Sequence, residues 1–472
     1  MSKVKIEKYK KSFYSVFSPI GTDEYLLVNT YTGAVDVIDL DVKELLETIQ
    51  DIDKREIEEN MELLSYLEER GHILSLCKKE EISSLESLFA DTFNSQVKKR
   101  SYAIVLTYDC NLRCIYCFEK DVWKKKKTWV KKVLGKNEID KIFKSIKEID
   151  KLFQNKYNLP IELTGGEPLL LRNRENIMYT LEKGQKEGYK FIITTNGVTL
   201  NEYINLIKNY DPICIRVTLD GIKEIHDKRR INPHGEGSFD QIIEGIKLAR
   251  ENGIPLYIKT NVDTGNINEV PDFVEFIRSE GWADDPEITY GIALVKEYDN
   301  IPNIIKNRKY MINKITELFK KHPEVRILYF SIPGGEFFEK IFEGNYFIPK
   351  FYGCTSLVSQ FIFDPHGSIY PCMLGLSGNI WRVGKYIPEL SFEESKIKSL
   401  RNRNIFNMQK CKKCTFALLC GGGCAYDAYR IRGTYQQSFC PPFNEVFSSW
   451  LPYFYHKIKC DISEEEVTHG HI

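Results

Sequence analysis

The stretch that decides the fold is Cys110-Asn-Leu-Arg-Cys114-Ile-Tyr-Cys117, in which three cysteines are separated by three and then by two residues. It follows an apolar run, Ala103–Tyr108, that is typical of a buried strand. A tetrahedral zinc site needs four protein ligands, so a loop with three thiolates leaves one metal position open to a ligand that is not protein. The spacing therefore favours an iron cluster over zinc, and three cysteines in an ordinary loop are the alternative.

Between about residues 99 and 330, short apolar runs alternate with amphipathic stretches, which predicts repeated βα units around a parallel sheet. Two of the amphipathic stretches, Glu138–Phe153 and Phe239–Asn252, each have an apolar face suited to packing on the sheet. We therefore expect an α/β fold with a partial (β/α)6 TIM-like barrel, whose active site lies at the C-terminal ends of the strands. The predicted strands are Ala103–Tyr108, Ile161–Thr164, Phe191–Thr194, Ile213–Thr218, Leu256–Thr260 and Glu287–Ile292.

The second predicted strand runs directly into Gly165-Gly166-Glu167-Pro168. Two glycines at a strand end let backbone amides approach a ligand closely, and the carboxylate of Glu167 can accept hydrogen bonds from an ammonium group. A plain βα turn is the alternative for this segment on its own. Further along, Arg230 offers a planar, permanently charged guanidinium that suits a carboxylate.

The other cysteines of note lie between residues 354 and 440. A zinc ribbon would explain the four cysteines of the compact group Cys411-x2-Cys414-x5-Cys420-x3-Cys424, but it leaves Cys354, Cys372 and Cys440 unexplained. Cys77, Cys214 and Cys460 fit no spacing pattern, and we expect them to behave as small apolar residues.

Taken together, these motifs resemble the radical S-adenosylmethionine (radical SAM) superfamily with a C-terminal SPASM domain. The resemblance implies that Cys110, Cys114 and Cys117 hold a [4Fe-4S] cluster, whose unique iron binds SAM and splits it to a 5′-deoxyadenosyl radical. The segments around Thr218-Leu-Asp-Gly and His226-Asp-Lys-Arg-Arg230 resemble those of peptide-modifying members, with Thr218 where serine is usual. His226 and Asp227 are then expected to brace this loop. The implied SAM-binding residues are Tyr116, Gly165, Gly166, Glu167, Thr195, Asn196, Thr218 and Arg230.

The SPASM resemblance implies two further [4Fe-4S] clusters, and so three in all. One would be held by Cys411, Cys414, Cys420 and Cys440. The other would be held by Cys354, Cys372 and Cys424. Either another residue completes this second set, or an iron is left open for a substrate thiolate.

The N-terminal region has a different pattern. Three strand-like runs precede two helical patterns, Val42–Gln50 and Arg55–Arg70, and the second helix is expected to end at Gly71. This order resembles the RiPP recognition element, a winged-helix-like α+β module that binds a precursor's leader peptide as an added strand; a generic α+β cap is the alternative. The three runs are Tyr14–Pro19, Glu24–Asn29 and Ala34–Leu40. The predicted domains are the leader-binding module 1–78, a linker 79–98, the barrel 99–330, a bridge 331–350, the SPASM domain 351–445 and a C-terminal tail 446–472.

Composition narrows the possible classes of protein. The 472 residues include 66 basic and 66 acidic side chains, which lacks the positive excess typical of nucleic-acid enzymes. No apolar stretch is long enough for a membrane span, and the N-terminus has no apolar signal region, so we expect a cytoplasmic protein without membrane association. Thirteen cysteines in such a protein favour metal ligation over disulfides.

The resemblance favours a maturase of a ribosomally synthesised peptide, in which the radical removes a hydrogen from a core residue and a cysteine thioether forms. Carbon–carbon or carbon–oxygen cross-linking and epimerisation on the same scaffold are alternatives. Sulfatase maturases are less favoured, because they carry an aspartate where this chain has Met373 and lack the N-terminal module. A non-catalytic iron–sulfur electron carrier or a zinc interaction protein is the alternative from another class.

The expected partners are a precursor peptide and a flavodoxin- or ferredoxin-type electron donor. The basic segment Lys120–Lys132, with Trp123 and Trp129, suits docking of an acidic donor or of an acidic leader peptide. A solvated loop is the alternative for this segment.

Overall fold

The structure, a computed structural model, describes residues 9–49, 59–74, 78–296, 303–330, 337, 340 and 347–468. Cys77, the side chain of Cys460, the start of the helix predicted at Arg55–Arg70 and most of the predicted bridge 331–350 lie outside the described residues.

Among the described residues, the N-terminal part contains a three-stranded antiparallel sheet and then two helices, in the order that the sequence predicts, and also a two-stranded ribbon that was not predicted. Asp39 begins the first helix, because its carboxylate accepts a hydrogen bond from the Val42 amide at 2.9 Å. Gly71 follows the second helix with a φ of 78°, as expected of a glycine at a helix end. The elements are β1 (Lys10–Lys11), β2 (Ser15–Pro19), β3 (Glu24–Asn29), β4 (Val35–Asp39), α1 (Leu40–Thr48), α2 (Met61–Glu69) and β5 (Ile73–Leu74).

The segment predicted as a linker is a 21-residue helix, α3 (Lys78–Lys98). Its buried Leu85 and the ring of Phe89 pack on aromatic side chains of the C-terminal part, including Phe351 and Phe406. The polar composition of the segment reflects the solvent-facing sides of the helix, while one narrow apolar face is covered.

The central part alternates strands and helices, and all six predicted strands are present with ends shifted by a few residues. The first strand shows the largest shift: the apolar run extends to Tyr108, whereas the regular strand ends at Val105. The elements are β6 (Ser101–Val105), α4 (Lys127–Val130), α5 (Lys136–Phe153), β7 (Ile161–Thr164), α6 (Arg174–Lys186), β8 (Phe191–Thr195), α7 (Ile204–Ile207), β9 (Cys214–Thr218), α8 (Lys223–Arg229), α9 (Phe239–Glu251), β10 (Leu256–Val262), α10 (Val270–Ser279), β11 (Ile288–Leu294), α11 (Ile304–Lys321) and β12 (Tyr329–Phe330).

The C-terminal part continues the same sheet. Its first strand, Gln360–Phe363, pairs in parallel with β6, so that Phe361 lies opposite Tyr102. The strand order is β12-β11-β10-β9-β8-β7-β6-β13-β14-β15-β16, in which the first eight strands are parallel neighbours and the last three are antiparallel. The six-strand barrel predicted from sequence is thus extended at both edges. The elements are α12 (Ser356–Ser359), β13 (Gln360–Phe363), β14 (Ser368–Tyr370), β15 (Gly384–Lys385), β16 (Ser391–Phe392), α13 (Glu394–Arg401), α14 (Ala417–Cys420), α15 (Ala425–Arg432) and α16 (Phe443–Thr468).

The predicted C-terminal tail is largely helix α16. Its buried Trp450 and Leu451 pack into the main core, and the backbone carbonyl of Phe447 accepts a hydrogen bond from Ser18 in β2 at 3.1 Å. Helix α16 therefore ties the N-terminal sheet to the rest of the molecule. Across the described ranges, no helix combines the length and the apolar character that crossing a membrane requires.

Candidate active site

The three cysteines that follow β6 lie close to one another just beyond the C-terminal end of that strand, where the charges of Cys114 and Cys117 act on Cys110. The Leu112 amide donates to Cys110 Sγ at 3.3 Å, and the Cys117 amide donates to the Cys114 carbonyl at 3.1 Å, so the loop folds back on itself. Burial raises the pKa of Cys117 to about 12, and the nearby Glu119 and Cys114 add to the shift. Burial raises the pKa of all three thiols. A metal ligand must be a thiolate, and a bound cation would stabilise that form.

The glycines of the Gly165-Gly166-Glu167 segment pack against the backbone that leads into the cysteine loop, and their contact with SAM stays a prediction. The Gly166 amide donates to the Thr107 carbonyl at 2.9 Å, and the Glu167 amide donates to the Asp109 carbonyl at 2.8 Å. A Cβ at Gly166 would clash with the carbonyl oxygens that precede Cys110. Glycine is needed here because two backbone segments meet, and the contact fixes where the cysteine loop starts.

Glu167 lies fully buried beneath this loop and gathers the residues that follow β8. Its carboxylate accepts hydrogen bonds from the Thr195 hydroxyl at 2.6 Å, the Asn196 amide at 2.6 Å and the Leu169 amide at 2.8 Å. Burial raises the pKa of Glu167, although these hydrogen bonds oppose the shift. The side chain of Asn196 in turn donates to Asn111 at 2.7 Å, inside the cysteine loop. The structure thus brings Glu167, Thr195 and Asn196 together with the three cysteines, as expected.

Tyr116 and Arg230 meet in a buried polar network on the other side of the loop. The Tyr116 hydroxyl donates to Asp220, and it accepts hydrogen bonds from Arg230 at 2.8 Å and from Asn261 at 3.2 Å. Arg230 Nε is buried and has no hydrogen-bond partner among the described residues. An unsatisfied buried guanidinium nitrogen is costly, and Arg230 Nε is free to donate to a ligand atom.

Sequence reasoning missed Asp220 as a partner of Tyr116, and it missed Asn261 entirely. Asp220 lies in the Thr218-Leu-Asp-Gly segment that was singled out, so its motif was a usable signal. Asn261 follows Lys259 and Thr260 in the polar stretch near the C-terminal end of β10. Thr218 ends β9 opposite Lys259, whose pKa is lowered by burial.

The loop after β9 is braced as the sequence predicted. The Asp220 amide donates to His226 Nδ1 at 3.2 Å, and the Asp227 carboxylate accepts hydrogen bonds from the Ser238 and Phe239 amides at 2.8 and 2.9 Å. Burial lowers the pKa of His226 well below its ordinary value, so the ring stays neutral and acts as an acceptor.

Four cysteines of the C-terminal part surround one cavity of about 230 Å³. Cys411 and Cys420 line it, together with polar and apolar neighbours such as Ser438 and Phe439. Ser438 lies 3.6 Å from Cys440 through its hydroxyl oxygen. The four cysteines are Cys411, Cys414, Cys420 and Cys440, which the resemblance assigns to a single cluster.

The remaining three C-terminal cysteines form a separate group. Burial raises the pKa of Cys372 to about 12, and its neighbours Cys424 and Cys354 add to the shift. Cys424 is separated from Cys420 by three glycines, all with positive φ between 60° and 86°. This left-handed turn sends the two cysteines to different groups, which separates Cys424 from the four-cysteine set that a zinc ribbon would need.

Among the described residues, no three His, Cys, Asp or Glu side chains come close enough together to hold one metal ion.

Comparison with known proteins agrees with this geometry. Residues 104–277 match the radical SAM superfamily. The chain is 26% identical over 363 residues to a cysteine-type anaerobic sulfatase-maturating enzyme of Clostridium novyi, covering 72% of this chain and 91% of that protein. It is 31% identical over 191 residues to the antilisterial bacteriocin subtilosin biosynthesis protein AlbA of Bacillus subtilis, covering 38% of each. The crystal structure of Streptococcus suis SuiB bound to S-adenosylmethionine has a similar fold, with a TM-score of 0.52 and 16% identity over 92% of this chain and 99% of that one.

These findings define a class. Residues 104–277 match the radical SAM superfamily, a class of domain that uses a [4Fe-4S] cluster and SAM. The chain is also similar in sequence to sulfatase-maturating and subtilosin-biosynthesis proteins.

Proposed function

We propose that this protein is a radical SAM maturase of a ribosomally synthesised peptide and that it installs a cysteine thioether in a precursor. The observation that carries the proposal is the group Cys354, Cys372 and Cys424, which among the described residues offers three thiols where a fully ligated cluster needs four. A substrate cysteine can supply the fourth. The relation to the subtilosin biosynthesis protein supports a peptide substrate.

The residues at the end of β6 fit the expected cofactors. Cys110, Cys114 and Cys117 provide three thiolates for a cluster, and the unpartnered Nε of Arg230 suits the carboxylate of SAM. When bound, these groups supply a 5′-deoxyadenosyl radical. The chain's own residues hold the cysteine loop in place, orient the cofactor through Arg230 and Tyr116, and exclude water from the pocket.

The group Cys411, Cys414, Cys420 and Cys440 would hold a fully ligated cluster in the cavity of about 230 Å³. Together with the other two groups, this gives the three [4Fe-4S] clusters that we propose. A flavodoxin- or ferredoxin-type donor would deliver the electron that SAM cleavage requires.

The N-terminal module is proposed to bind the leader of the precursor. Strand β2 is joined to helix α16 through Ser18, whereas β4 pairs with β3 alone among the described strands. The unpaired edge of β4 is therefore where a leader can add as a strand, with main-chain hydrogen bonds providing affinity.

A sulfatase-type maturase is the second candidate, and the 26% identity over most of the Clostridium novyi enzyme favours it. Met373 stands where the resemblance expects an aspartate, so this chain lacks the proton acceptor on which that reaction relies. Other radical modifications of peptides, such as carbon–carbon or carbon–oxygen cross-linking and epimerisation, are alternatives on the same scaffold.

The deciding experiment combines iron analysis with product analysis under anaerobic conditions. The purified protein should bind about three [4Fe-4S] clusters, and replacing Cys110, Cys114 and Cys117 with alanine should leave about two and abolish 5′-deoxyadenosine formation. With a cysteine-containing precursor, mass spectrometry should find the loss of two hydrogens per cross-link and no free thiol at the linked cysteine. A product that keeps its free thiol would exclude thioether formation, and 5′-deoxyadenosine made by the triple variant would exclude the radical SAM assignment.

A further inference from the structure

Lys296 joins the barrel to the three-cysteine group of the C-terminal part. It lies just beyond the C-terminal end of β11, and its ammonium donates a hydrogen bond to Cys424 Sγ at 3.4 Å. Its side chain is about one-third exposed, at 31%. No feature of the sequence indicated this contact, because residues 296 and 424 are far apart in the chain.

The same ammonium belongs to a small charged cluster. Lys296 lies 3.4 Å from the Asp427 carboxylate, and Arg308 of α11 lies 2.7 Å from it. Asp427 is buried, at 4% exposure, one turn after Cys424 in α15. Two cations face one carboxylate here, so the charge next to Cys424 is net positive.

Hydrogen bonds to the sulfur ligands and positive charge nearby both favour the reduced, more negative form of an iron–sulfur cluster. Lys296 contributes both at Cys424, and burial of the surrounding groups limits the screening of its charge by water. The buried Arg403 lies close to cysteines of both groups, so its charge does not distinguish them. Lys296 acts on cysteines of the three-cysteine group, whereas Lys410, Lys412 and Lys413 near the four-cysteine group are exposed and their charges are screened by solvent.

We propose that Lys296 is a positioning residue that raises the reduction potential of the cluster held by Cys354, Cys372 and Cys424, so that this cluster accepts the electron left after a cross-link forms. The inference rests on the proposed function, because it needs a cluster at this group. The electron balance is that of the proposed reaction: the hydrogen atom leaves the substrate with the deoxyadenosyl group, the thiol proton leaves on ligation, and one electron passes to the oxidised cluster as the carbon–sulfur bond forms. Asp427 opposes this effect and keeps the two cations in place.

The test is a potentiometric titration of the intact holoenzyme followed by electron paramagnetic resonance. Lys296→Met should shift the potential of this cluster to a more negative value, and Lys296→Arg, which keeps the charge, should restore most of the shift. Asp427→Asn should move the potential in the opposite direction, because it leaves two cations uncompensated. Lys314→Met on the exposed side of α11 is the matched control and should change nothing, and the other two clusters serve as internal references in each sample.

The outcomes separate this inference from the proposed function. If wild-type protein holds no cluster at this group, both are wrong. If the cluster is present and its potential is the same in wild type, Lys296→Met and Asp427→Asn, the thioether proposal stands and the role of Lys296 is wrong. If Lys296→Met fails to retain iron at the site, the shift in Asp427→Asn decides, since that variant keeps the hydrogen bond to Cys424.

Discussion

Arg229 and Arg230 are adjacent in the chain, yet their surroundings assign them different tasks. Arg229 donates to both oxygens of Asp263, at 3.0 and 2.9 Å, and to the Asn261 carbonyl at 3.3 Å. Arg230 contacts Tyr116 and keeps a buried nitrogen without a partner among the described residues. The hydrogen bonds of Arg229 to Asp263 and Asn261 are made within the protein, whereas Arg230 keeps one donor that we propose for SAM.

The two arginines therefore give a matched pair of variants. Arg230→Lys should weaken SAM binding by about tenfold or more, roughly 1.4 kcal/mol, since a lysine keeps the charge but loses the planar fork. Arg229→Lys should instead lower the free energy of unfolding by about 1.5–3 kcal/mol, because charged hydrogen bonds are lost inside the protein. Equilibrium dialysis with SAM and urea denaturation measure the two effects. Equal loss of SAM affinity in both variants would contradict the assignment.

A single histidine offers a pH test. His366 stacks on Trp129 at a centroid distance of 3.9 Å, and burial together with the charge of Lys132 lowers its pKa to about 4. An unfolded histidine has a pKa of about 6.5 and binds a proton more readily, so stability is lost as pH falls from about 6.5 to 4. In His366→Gln, the urea concentration at half-unfolding should decrease less between about pH 6.5 and about pH 4 than it does in the wild-type protein. The exposed control His234→Gln should keep the wild-type decrease. Unchanged slopes in both variants would refute the contribution.

At this scale, sequence reasoning found residues whose chemistry is carried by a local motif. Glu167, Thr195 and Asn196 were identified because they lie within a few residues after predicted strands, in segments for which the resemblance implies SAM binding. The structure joins them through hydrogen bonds. Lys296 and Asn261 were missed, because their partners lie on other elements and nothing in the local pattern marks them. Long-range pairing of single polar residues is decided by the fold, which the local sequence does not encode.

Among the elements, helix α3 differs most from its expected role. Its apolar face belongs to a cluster that also contains Tyr14 of the N-terminal part and two cysteines of the four-cysteine group, Cys411 and Cys414. The segment was predicted as a linker because its composition is polar. Only the position of Leu85, Phe89 and Phe93 on one helical face distinguishes it, and the surface that covers this face comes from distant parts of the chain.

Leu85→Ala should therefore destabilise the protein by about 2–5 kcal/mol, because a fully buried leucine would leave a cavity at this junction. The exposed neighbour Ser87→Ala is the control and should have an effect within about 0.5 kcal/mol. Urea denaturation measures the difference. A Leu85→Ala variant as stable as the control would mean that α3 is only loosely attached.

The edge of β4 carries another prediction. Hydrogen exchange should slow at residues 35–39 when precursor is added, because the leader would satisfy the outward-facing amides of this edge strand. Strand β2, which is tied to α16, serves as the internal control and should show little change. Protection that appears elsewhere and spares β4 would give the module a different binding surface.

At the scale of the whole molecule, the basic segment lies against the first cysteine loop. Arg113 donates to the Cys110 carbonyl at 2.8 Å, and its guanidinium lies 4.8 Å from the ring of Trp123. The lysines at 124–127 and 131 are exposed around it. Net charge is zero over the full chain, so this surface stands out as a local positive field that suits an acidic donor protein.

Charge reversal can locate the docking surface. The triple variant Lys126→Glu, Lys127→Glu and Lys131→Glu should slow reduction by an acidic flavodoxin at low salt and leave reduction by dithionite unchanged, because only the protein donor is attracted by charge. The triple variant at Lys410, Lys412 and Lys413 carries the same charge change beside Cys411 and is the matched control. Stopped-flow absorbance follows both. If flavodoxin reduces only the Lys410, Lys412 and Lys413 variant more slowly, the donor docks beside the C-terminal cysteines instead.

The junction built by α3 also has a consequence for the substrate. Thr30 in the N-terminal part donates to the Thr415 carbonyl at 2.6 Å, next to Cys414, so the module and the C-terminal cysteines are held at a fixed separation. If the leader binds at β4, the number of residues between the leader and the modified residue would determine which residue reaches the radical site. Each glycine inserted into that spacer should shift the modification by one position along the peptide. If the N-terminal module were joined by a flexible linker, the insertions would leave the modified position unchanged.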